Sequence, residues 1–310
     1  MSVKLGVAGA GSMGRNHARV LSKLDEVELV GVFDAQMERA QEVAAEFGTQ
    51  PFDSLESLAQ LCDGVAVAVP TSAHREVGCF LLDQGCHILI EKPIAPSVAD
   101  AKELVDRAKS AGKILQVGHI ERFNPVMRSL EAKLDQPKFI EAHRLSPFPN
   151  RSMDIGVVLD LMIHDLEIIL HLVKSPIASI DAVGVPVLTH NEDIANARIR
   201  FENGCVANIT ASRISPERMR KIRVFQGDCY LSLDYQEQAG QMFWRDGMAI
   251  ENSQVEVEKD EPLKLELAAF ADAVSRGASP TVSGEQGMAA LDVALEVTRL
   301  IKQDSAFNGN

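Results

Sequence analysis

Residues 3–14, VKLGVAGAGSMG, join a short apolar run to a glycine-rich turn, and this stretch decides the fold of the first part of the chain. The apolar half predicts a buried parallel strand, and residues 15–24 after the turn predict a helix. Gly9 permits the tight turn, Gly11 lets backbone approach a pyrophosphate, and Gly14 lets the helix pack closely on the strand. Since a helix N-terminus offers free N–H groups to phosphates, the stretch predicts a dinucleotide cradle.

An acidic residue supports this interpretation. Asp34 follows a second predicted strand, residues 27–33, and lies about 20 residues beyond the cradle, where a carboxylate holds the adenosine ribose hydroxyls. A helix-capping aspartate after an ordinary turn is the alternative. Asp34 is followed by Ala35 and Gln36, without an adjacent arginine for a 2′-phosphate, so we predict NAD rather than NADP.

Strands and helices alternate through the first part of the chain. The predicted strands are residues 3–8, 27–33, 64–69, 87–90 and 114–117, and the predicted helices are residues 15–24, 37–47, 73–84 and 98–111. Strands separated by helices of this length imply a doubly wound parallel sheet. We therefore predict an α/β domain of Rossmann type over residues 1–120.

The pattern changes after residue 120. An apolar helix is predicted over residues 160–173, followed by alternating runs typical of antiparallel strands. These runs are residues 178–187, 194–202, 205–213, 218–226 and 229–235, with Asn203-Gly204 as a hairpin turn. Two closing helices, residues 263–275 and 285–302, complete a predicted second domain of α+β class over residues 121–310.

Composition restricts the class of partner. The chain has 310 residues and a formal net charge of −13, which disfavours nucleic acid and anionic membranes. The five cysteines form no Cys-x-x-Cys pair, and no apolar run reaches the about 18 residues of a membrane helix. The first residues have no leader pattern. We therefore expect a cytoplasmic enzyme that acts on a small molecule.

Lys92 lies at the carboxyl edge of the predicted parallel sheet, within Glu91-Lys92-Pro93. Ligands of such folds bind at this edge. A lysine there can hydrogen-bond a reacting hydroxyl and stabilise an alkoxide, whereas an ordinary solvated lysine is the alternative.

Asp160 and His164 interrupt an apolar stretch and, four residues apart, share one face of a helix. A histidine that titrates near neutral pH suits a general base, and the acid would orient it. A paired Asp–His in the core is the structural alternative. Asp165, Glu167 and His171 are further potential ligands, but one helix rarely directs more than two at one point, so we predict no metal site.

Together these motifs resemble the glucose–fructose oxidoreductase / inositol dehydrogenase (Gfo/Idh/MocA) family over essentially the whole chain. The matching elements are the glycine turn, Pro70-Thr71-Ser72-Ala73-His74, Glu91-Lys92-Pro93, Gly118-His119 and Asp160-x-x-x-His164. The resemblance implies that Lys92, Asp160 and His164 surround the hydroxyl being oxidised. The residues that it implies for NAD binding are Gly9, Gly11, Ser12, Met13, Gly14, Asp34, Pro70, Thr71, His74 and Glu91.

A narrower likeness lies in residues 118–125, GHIERFNP, and 159–165, LDLMIHD. It is to family members that act on nucleotide-linked amino sugars. It implies oxidation of the 3-hydroxyl of UDP-N-acetylglucosamine to a 3-keto sugar, which a following aminotransferase would use on the way to lipid A. His119, Arg122 and Asn124 would then contact the substrate; alternatively, Arg122 only ties the two domains together.

Two other functions stay open. One is an inositol or free-sugar dehydrogenase. The other, of a different class, is a non-catalytic regulator that senses NAD. Such a regulator would be expected to lose Lys92 or His164, and both are present.

We also expect a homodimer or homotetramer. The resemblance implies that the C-terminal sheet is open-faced and mediates assembly, and a sheet covered on one face by its own helices needs a partner on the other. Apolar residues of the alternating runs include Ile199, Val206, Ile209, Val224 and Phe225.

Overall fold

The computed structural model of the chain describes residues 2–148, 155–304 and 307. These residues form two compact units: the first comprises Met1–Phe123 and Glu261–Leu291, and the second comprises Asn124–Asp260 and Asp292–Asn310. The sequence-based division at residue 120 therefore differs from the structure at the C-terminal end. Residues 261–291 return to the first unit instead of completing the second.

The first unit contains a six-stranded parallel sheet with strand order β3-β2-β1-β4-β5-β6. The strands are β1 (Val3–Ala8), β2 (Val27–Phe33), β3 (Gln50–Phe52), β4 (Gly64–Val67), β5 (His87–Glu91) and β6 (Leu115–Gly118). The helices are α1 (Ser12–Leu21), α2 (Met37–Phe47), α3 (Leu55–Ala59), α4 (His74–Asp83) and α5 (Val98–Ala111). The predicted doubly wound sheet is confirmed, and β1 and β4 flank the point where the strand order reverses, at which such folds bind ligands.

Helix α8 (Pro262–Arg276) explains why the chain returns to this unit. Its apolar residues Leu263, Leu267 and Phe270 are buried in one core with residues of β1 and α1, such as Leu5 and Leu21. An apolar helix face must be buried against some partner, and sequence periodicity does not say which one.

The second unit contains an eight-stranded sheet with order β14-β13-β12-β11-β7-β10-β9-β8. The strands are β7 (Phe139–Leu145), β8 (Ile177–Val185), β9 (Ile194–Phe201), β10 (Val206–Ser212), β11 (Met219–Phe225), β12 (Cys229–Asp234), β13 (Ala239–Asp246) and β14 (Ala249–Val255). All neighbours are antiparallel except β7 and β10, so the predicted mostly antiparallel sheet is confirmed. The helices are α6 (Pro125–Lys133), a π-helical turn (Val158–Met162), α7 (Ile163–Val173) and the last part of α9 (Gly284–Gln303).

The two faces of this sheet differ in character. Helices α6 and α7 pack on one face, where Ile199, Ile209 and Val224 are buried. These three residues are therefore not on the opposite face, whereas Val206 and Phe225 are half-buried there. That face carries an aromatic row of cross-strand partners, Phe139, Phe225, Tyr230 and Phe243.

Neighbouring rings in the aromatic row have centroids 5.7, 4.9 and 4.5 Å apart, and the last pair is inclined by only 6°. Aromatic pairs at this spacing contribute favourable packing beyond the area that they bury. The row is thus an ordered apolar stripe across four strands.

Within the described part of the chain, no helix combines the length and the apolar character that crossing a bilayer requires.

Candidate active site

The glycine turn adopts the geometry that its sequence predicts. Gly9 has φ +99°, a conformation that favours glycine, and a Cβ there would lie 2.6 Å from the Ala68 carbonyl oxygen. A Cβ on Gly14 would overlap the Gly9 carbonyl oxygen. These two glycines are therefore required for the close approach of the turn, helix α1 and strand β4.

Gly11 meets the structural requirement for a phosphate site. A Cβ built on Gly11 would find no atom of the described residues within 4 Å, so these residues leave the space in front of the turn open. Gly11 is also the N-cap of α1, and neither a capping side chain nor an acidic residue in the first turn competes for its N–H groups. Helix dipole and free N–H groups then favour an anion in this space, and the residues present fit the pyrophosphate of a dinucleotide.

Asp34 lies at the carboxyl end of β2 and contacts the glycine turn directly. Its Oδ2 accepts the Ala10 N–H at 2.7 Å, and its Oδ1 accepts the Gln36 N–H at 2.8 Å. A carboxylate has about four lone-pair sites, so these two bonds leave acceptor capacity for ribose hydroxyls. Asp34 therefore fixes the turn and keeps the acceptors that the ribose role needs.

His74, which the family resemblance assigns to cofactor binding, contacts backbone carbonyls of the first unit. Its side chain is buried, with Nδ1 3.0 Å from the Pro93 carbonyl oxygen and Nε2 3.0 Å from the Val69 carbonyl oxygen. Burial lowers the pKa of His74, although both carbonyls act in the opposite direction. Both ring nitrogens face protein carbonyls, so His74 joins the loop after β4 to the loop after β5, and its contact with the cofactor stays a prediction. Thr71 is half-buried and Pro70 is exposed at the start of this segment.

Glu91 is likewise occupied by protein groups. Its Oε1 lies 2.9 Å from His17 Nε2, and its Oε2 accepts the Lys92 backbone N–H at 3.3 Å. The side chain is only 12% exposed. These contacts make Glu91 a support for the loop that carries Lys92, and its contact with the cofactor stays a prediction.

Lys92, His119 and Arg122 form an electrostatic group at the carboxyl ends of β5 and β6. Burial, followed by the charges of Lys92 and Arg122, lowers the pKa of His119 to about 3. His119 is therefore a neutral imidazole at physiological pH. The two cations beside it make this corner of the first unit suited to an oxyanion.

Asn124 begins the second unit and has a structural role that the sequence did not predict. Its Oδ1 accepts the Val126 N–H at 3.3 Å and caps α6, while its Nδ2 donates to the Tyr235 carbonyl oxygen at 2.9 Å. The side chain is buried. Asn124 thus caps α6, and its contact with the substrate stays a prediction.

Asp160 and His164 are both half-buried. Asp160 lies in the π-helical turn and His164 in the first turn of α7. π-Helical turns are rare and occur frequently at functional sites. The predicted acid–histidine pair thus lies where two helical geometries join, which is a local feature that periodicity alone does not reveal.

The polar neighbours of this pair are used elsewhere. Asp165 forms a buried two-point ion pair with Arg144, at 2.8 and 3.0 Å. His171 Nε2 lies 2.9 Å from Glu131 Oε1. Asp165 and His171 are therefore each paired with another side chain.

The start of the acid–histidine helix is held by a loop that sequence reasoning missed. The Glu192 carbonyl accepts the Val157 N–H at 2.9 Å, and Glu192 Oε1 accepts the Val158 N–H at 3.3 Å. The Asp160 N–H then donates to the Gly156 carbonyl at 3.1 Å. A Cβ on Gly156 would overlap the Glu192 carboxylate, so this position needs glycine.

Asp193 and Arg213 hold in place the loop that carries Glu192. Asp193 Oδ2 accepts three backbone N–H groups, from Val187, Leu188 and Thr189, at 2.6 to 2.9 Å. Arg213 Nε donates to Asp193 Oδ1 at 2.9 Å, and its NH1 donates to the Ile155 carbonyl at 2.7 Å. These hydrogen bonds outweigh the cost of burial and lower the pKa of Asp193 to about 2. The only sequence signal was two adjacent acids in a loop, which is not specific.

Comparison with known proteins agrees with this architecture. Residues 3–119 match the family described as oxidoreductase family, NAD-binding Rossmann fold, and residues 126–228 match the GFO/IDH/MocA C-terminal domain. UDP-N-acetylglucosamine 3-dehydrogenase of Acidithiobacillus ferrooxidans is 35% identical over 302 residues, covering 95% of this chain and 96% of that protein. Myo-inositol 2-dehydrogenase of Thermotoga maritima is 25% identical, with 93% of each chain covered.

A solved structure extends the likeness to three dimensions. The structure of UDP-N-acetylglucosamine 3-dehydrogenase from Acidithiobacillus ferrooxidans superimposes with a TM-score of 0.93, covering 97% of this chain and 98% of that one.

Proposed function

The chain belongs to the Gfo/Idh/MocA family of NAD-dependent oxidoreductases, and from this premise we propose that it oxidises the 3-hydroxyl of UDP-N-acetylglucosamine to a 3-keto sugar. The observation that carries the substrate proposal is the full-length similarity to a dehydrogenase of that substrate, at 35% identity and with a TM-score of 0.93. The cations around His119 add a chemical reason, because a nucleotide diphosphate needs donors for its oxyanions.

The proposed mechanism assigns one task to each of three side chains. Lys92 hydrogen-bonds the reacting hydroxyl and stabilises the developing alkoxide. His164 takes the hydroxyl proton as general base, and Asp160 stabilises the imidazolium that results. Orientation of the substrate supplies further acceleration, because the reacting groups no longer have to meet from solution.

NAD is the cofactor of this family, and we propose that groups of the first unit bind it. Residues 11–14 at the start of α1 would hold the pyrophosphate, and Asp34 would accept the ribose hydroxyls. When bound, the nicotinamide supplies the acceptor for the hydride that leaves the sugar carbon. Arg122 is proposed as a donor to the substrate diphosphate.

A direct assay tests the substrate. Purified protein is mixed with NAD and, separately, UDP-N-acetylglucosamine, other UDP-sugars, myo-inositol and free hexoses, and NADH formation is followed by absorbance. We expect the highest kcat/KM with UDP-N-acetylglucosamine. A much higher kcat/KM with an inositol or a free hexose would refute the proposal and favour the alternative that the inositol dehydrogenase relatives suggest. NAD binding without turnover of any substrate would favour a non-catalytic sensor.

We further propose that the protein assembles as a homodimer or homotetramer through the sheet face that carries the aromatic row. Ordered rings in line across four strands offer a flat surface that a second copy can match. The 3-keto product is an electrophile that an aminotransferase can convert to a 3-amino sugar, and lipid A is the proposed use of that sugar. A cytoplasmic location is proposed with this assignment.

A further inference from the structure

A buried ion pair lies beside the acid–histidine motif and has no part in the proposed proton transfer. Arg144 on β7 donates from Nε to Asp165 Oδ2 at 2.8 Å and from its NH2 group to Asp165 Oδ1 at 3.0 Å. The two side chains are only 4% and 2% exposed. Asp165 directly follows His164 in the first turn of α7. Two hydrogen bonds and one covalent neighbour thus join the proposed general base to a strand of the sheet.

Stability alone does not explain why charges are buried at this position. Two buried ions lose their hydration, and replacing such a pair by well-packed apolar residues of similar volume is often neutral or stabilising. The neighbours Ile163 and Leu166 on α7 are apolar and completely buried, so packing already holds the helix on the sheet. What the ion pair adds is direction, because a two-point contact between a guanidinium and a carboxylate fixes their relative orientation.

Strand β7 is a rigid support for Arg144. It lies inside the eight-stranded sheet, between β10 and β11, and it pairs with both neighbours without interruption. Arg144 itself is in register with Ala211 of β10 and Arg220 of β11. Core strands of this kind open only when the whole domain unfolds. Asp165 is therefore held at a fixed point of the second unit.

The helix needs a fixed point here because its geometry changes between Asp160 and His164. Asp160 lies in the π-helical turn and His164 lies in α7. Residues of a π-helix and of an α-helix wind about the axis by different angles, so the direction of His164 relative to Asp160 depends on how the junction is held. The hydrogen bond to Glu192 holds the π-helical side, and the ion pair of Asp165 holds the α-helical side.

We propose that Arg144 is a positioning residue, which through its two-point contact with Asp165 sets the rotation of α7 about its axis and with it the direction of the His164 imidazole. The inference rests on the proposed function, since this direction matters for catalysis only if His164 takes the proton of the reacting hydroxyl. Arg144 touches neither substrate nor cofactor in this proposal.

Two variants separate orientation from charge and from stability. Arg144→Lys keeps the positive charge but replaces the planar fork by a point donor, which fixes no unique orientation of Asp165. Arg144→Met combined with Asp165→Leu replaces both ions by apolar side chains, so no unpaired charge remains in the core and this double variant should fold. Removal of one ion alone is avoided, because an uncompensated buried charge is strongly destabilising.

A surface ion pair on α9 provides the matched control. Arg299 donates from the same two groups, Nε and NH2, to the two Glu296 oxygens at 2.7 and 2.6 Å, but these side chains are 51% and 41% exposed. Arg299→Lys, and Arg299→Met combined with Glu296→Leu, therefore make the same chemical changes at the surface. We expect both control variants to keep the kcat of the unaltered protein.

Steady-state kinetics give the first readout, and calorimetry establishes that each variant is folded. We expect both Arg144 variants to lower kcat about 10- to 100-fold, since displacing a reactive group by about 1 Å costs on the order of 100-fold. KM should change less than kcat, because the impaired step is proton transfer. The NAD dissociation constant should not change, because the groups proposed to bind NAD belong to the first unit. A loss of kcat that only follows the folded fraction would overturn the proposal.

The reactivity of His164 gives a second readout that needs no substrate. Diethyl pyrocarbonate acylates imidazoles, and mass spectrometry of the digested protein measures its rate at His164 relative to that at the exposed His190. This ratio should change in both Arg144 variants and stay the same in both Arg299 variants.

The outcomes distinguish this proposal from the proposed function. A folded double variant of Arg144 and Asp165 with a normal kcat, or with an unchanged labelling ratio at His164, would overturn the positioning role. If the double variant did not fold, Arg144→Lys would decide by the same two readouts. Failure of the unaltered protein to oxidise any sugar would overturn the proposed function alone, because the labelling ratio still reports on the direction of His164.

Discussion

At the scale of single residues, the proposed chemistry depends on Lys92 and His164. Removing a general base costs about 100- to 10,000-fold in rate, so we expect His164→Ala and Lys92→Ala each to lose at least that much kcat. NAD affinity should change little, because the residues at the start of α1 remain. Lys92→Arg should fail as well, since a planar guanidinium does not reproduce the position of an ammonium group. Steady-state kinetics beside NAD titration measures both effects.

His171→Ala provides the matched control for His164. It lies on the same helix but is paired with Glu131. We expect normal kcat in this variant. If His164→Ala retained turnover close to that of His171→Ala, Asp160 and His164 would be a structural pair.

A second prediction at this scale concerns Asp34. The unaltered protein should prefer NAD to NADP, because a 2′-phosphate beside this carboxylate would be repelled. In Asp34→Asn the preference should narrow by about tenfold or more, since a hydrogen bond to a charged group contributes about 1.5–3 kcal/mol. Titration of the unaltered protein and of Asp34→Asn with NAD and with NADP measures the ratio of the two dissociation constants. Equal binding of NAD and NADP by the unaltered protein would contradict the prediction.

The residue scale also shows where sequence reasoning stops. The contact between Asp34 and the glycine turn could be predicted, because the fixed spacing of a known motif joins the two. The backbone contacts of His74 and Asn124 could not be predicted, since no motif joins these residues to the carbonyls of Pro93 and Tyr235. Motif resemblance gave these two residues ligand roles, whereas their contacts are with backbone.

At the scale of elements, the start of the acid–histidine helix is the sensitive point. Gly156→Ala would push the new methyl group into the Glu192 carboxylate. Overpacking of this kind costs about 1–3 kcal/mol of unfolding free energy. We expect that loss in denaturant unfolding together with a lower kcat. Ala111→Gly, which removes a methyl group at the end of α5, is the control. It should weaken α5 and leave kcat unchanged.

The burial of Glu192 at the start of the acid–histidine helix also gives a prediction for the pH dependence of stability. Burial raises the pKa of Glu192 above its ordinary value of 4.5. The folded protein therefore keeps the Glu192 proton to higher pH than the unfolded chain does. The stabilisation that results is largest below pH 4.5, the ordinary pKa, and it is lost as the pH rises through the pKa of the folded protein. In Glu192→Gln this loss should be absent, and the variant should be at least as stable as the unaltered protein at neutral pH. A steeper loss of stability with pH in the variant would contradict this.

Several elements escaped sequence analysis for identifiable reasons. Strand β7 places Arg144 at a buried position, which breaks the expected apolar alternation, and it does so only because Asp165 pairs with it. Strands β13 and β14 include many exposed residues, so their period of two is weak. The π-helical turn at Val158–Met162 begins at a hydrogen bond from the Val158 N–H to the Glu192 carboxylate, which no local pattern encodes.

At the scale of the whole molecule, the aromatic row gives the prediction on assembly. Tyr230→Glu combined with Phe243→Glu replaces two rings that stack 4.5 Å apart with two charged side chains. We expect light scattering to show an oligomer for the unaltered protein and a folded monomer for this variant, because charges are depleted at interface cores. Met248→Glu, at a fully exposed position in the turn after β13, should leave assembly unchanged. A monomer at all concentrations of the unaltered protein would contradict the prediction.

The two-domain α/β architecture could be predicted because the two kinds of strand have different sequence patterns. Buried parallel strands are continuous apolar runs, whereas antiparallel strands alternate between apolar and polar residues. The substrate could not be predicted from periods or spacing. Its proposal comes from resemblance, supported by a relative that is 35% identical over nearly the full chain. Many chemistries share one fold, and the residues that distinguish sugars are few.

The return of helix α8 to the first unit also has a consequence for protein synthesis. Leu267 and Phe270 close the core that strands of residues 1–123 begin, yet they are translated only after the whole second sheet. At about 5–20 residues per second, the nascent first unit waits on the order of ten seconds with part of its core exposed. A released fragment of residues 1–260 should therefore be cut by protease within the first unit under conditions where the full chain resists, and it should lose NAD binding. Equal resistance would mean that the parallel sheet folds while the ribosome is still translating the second.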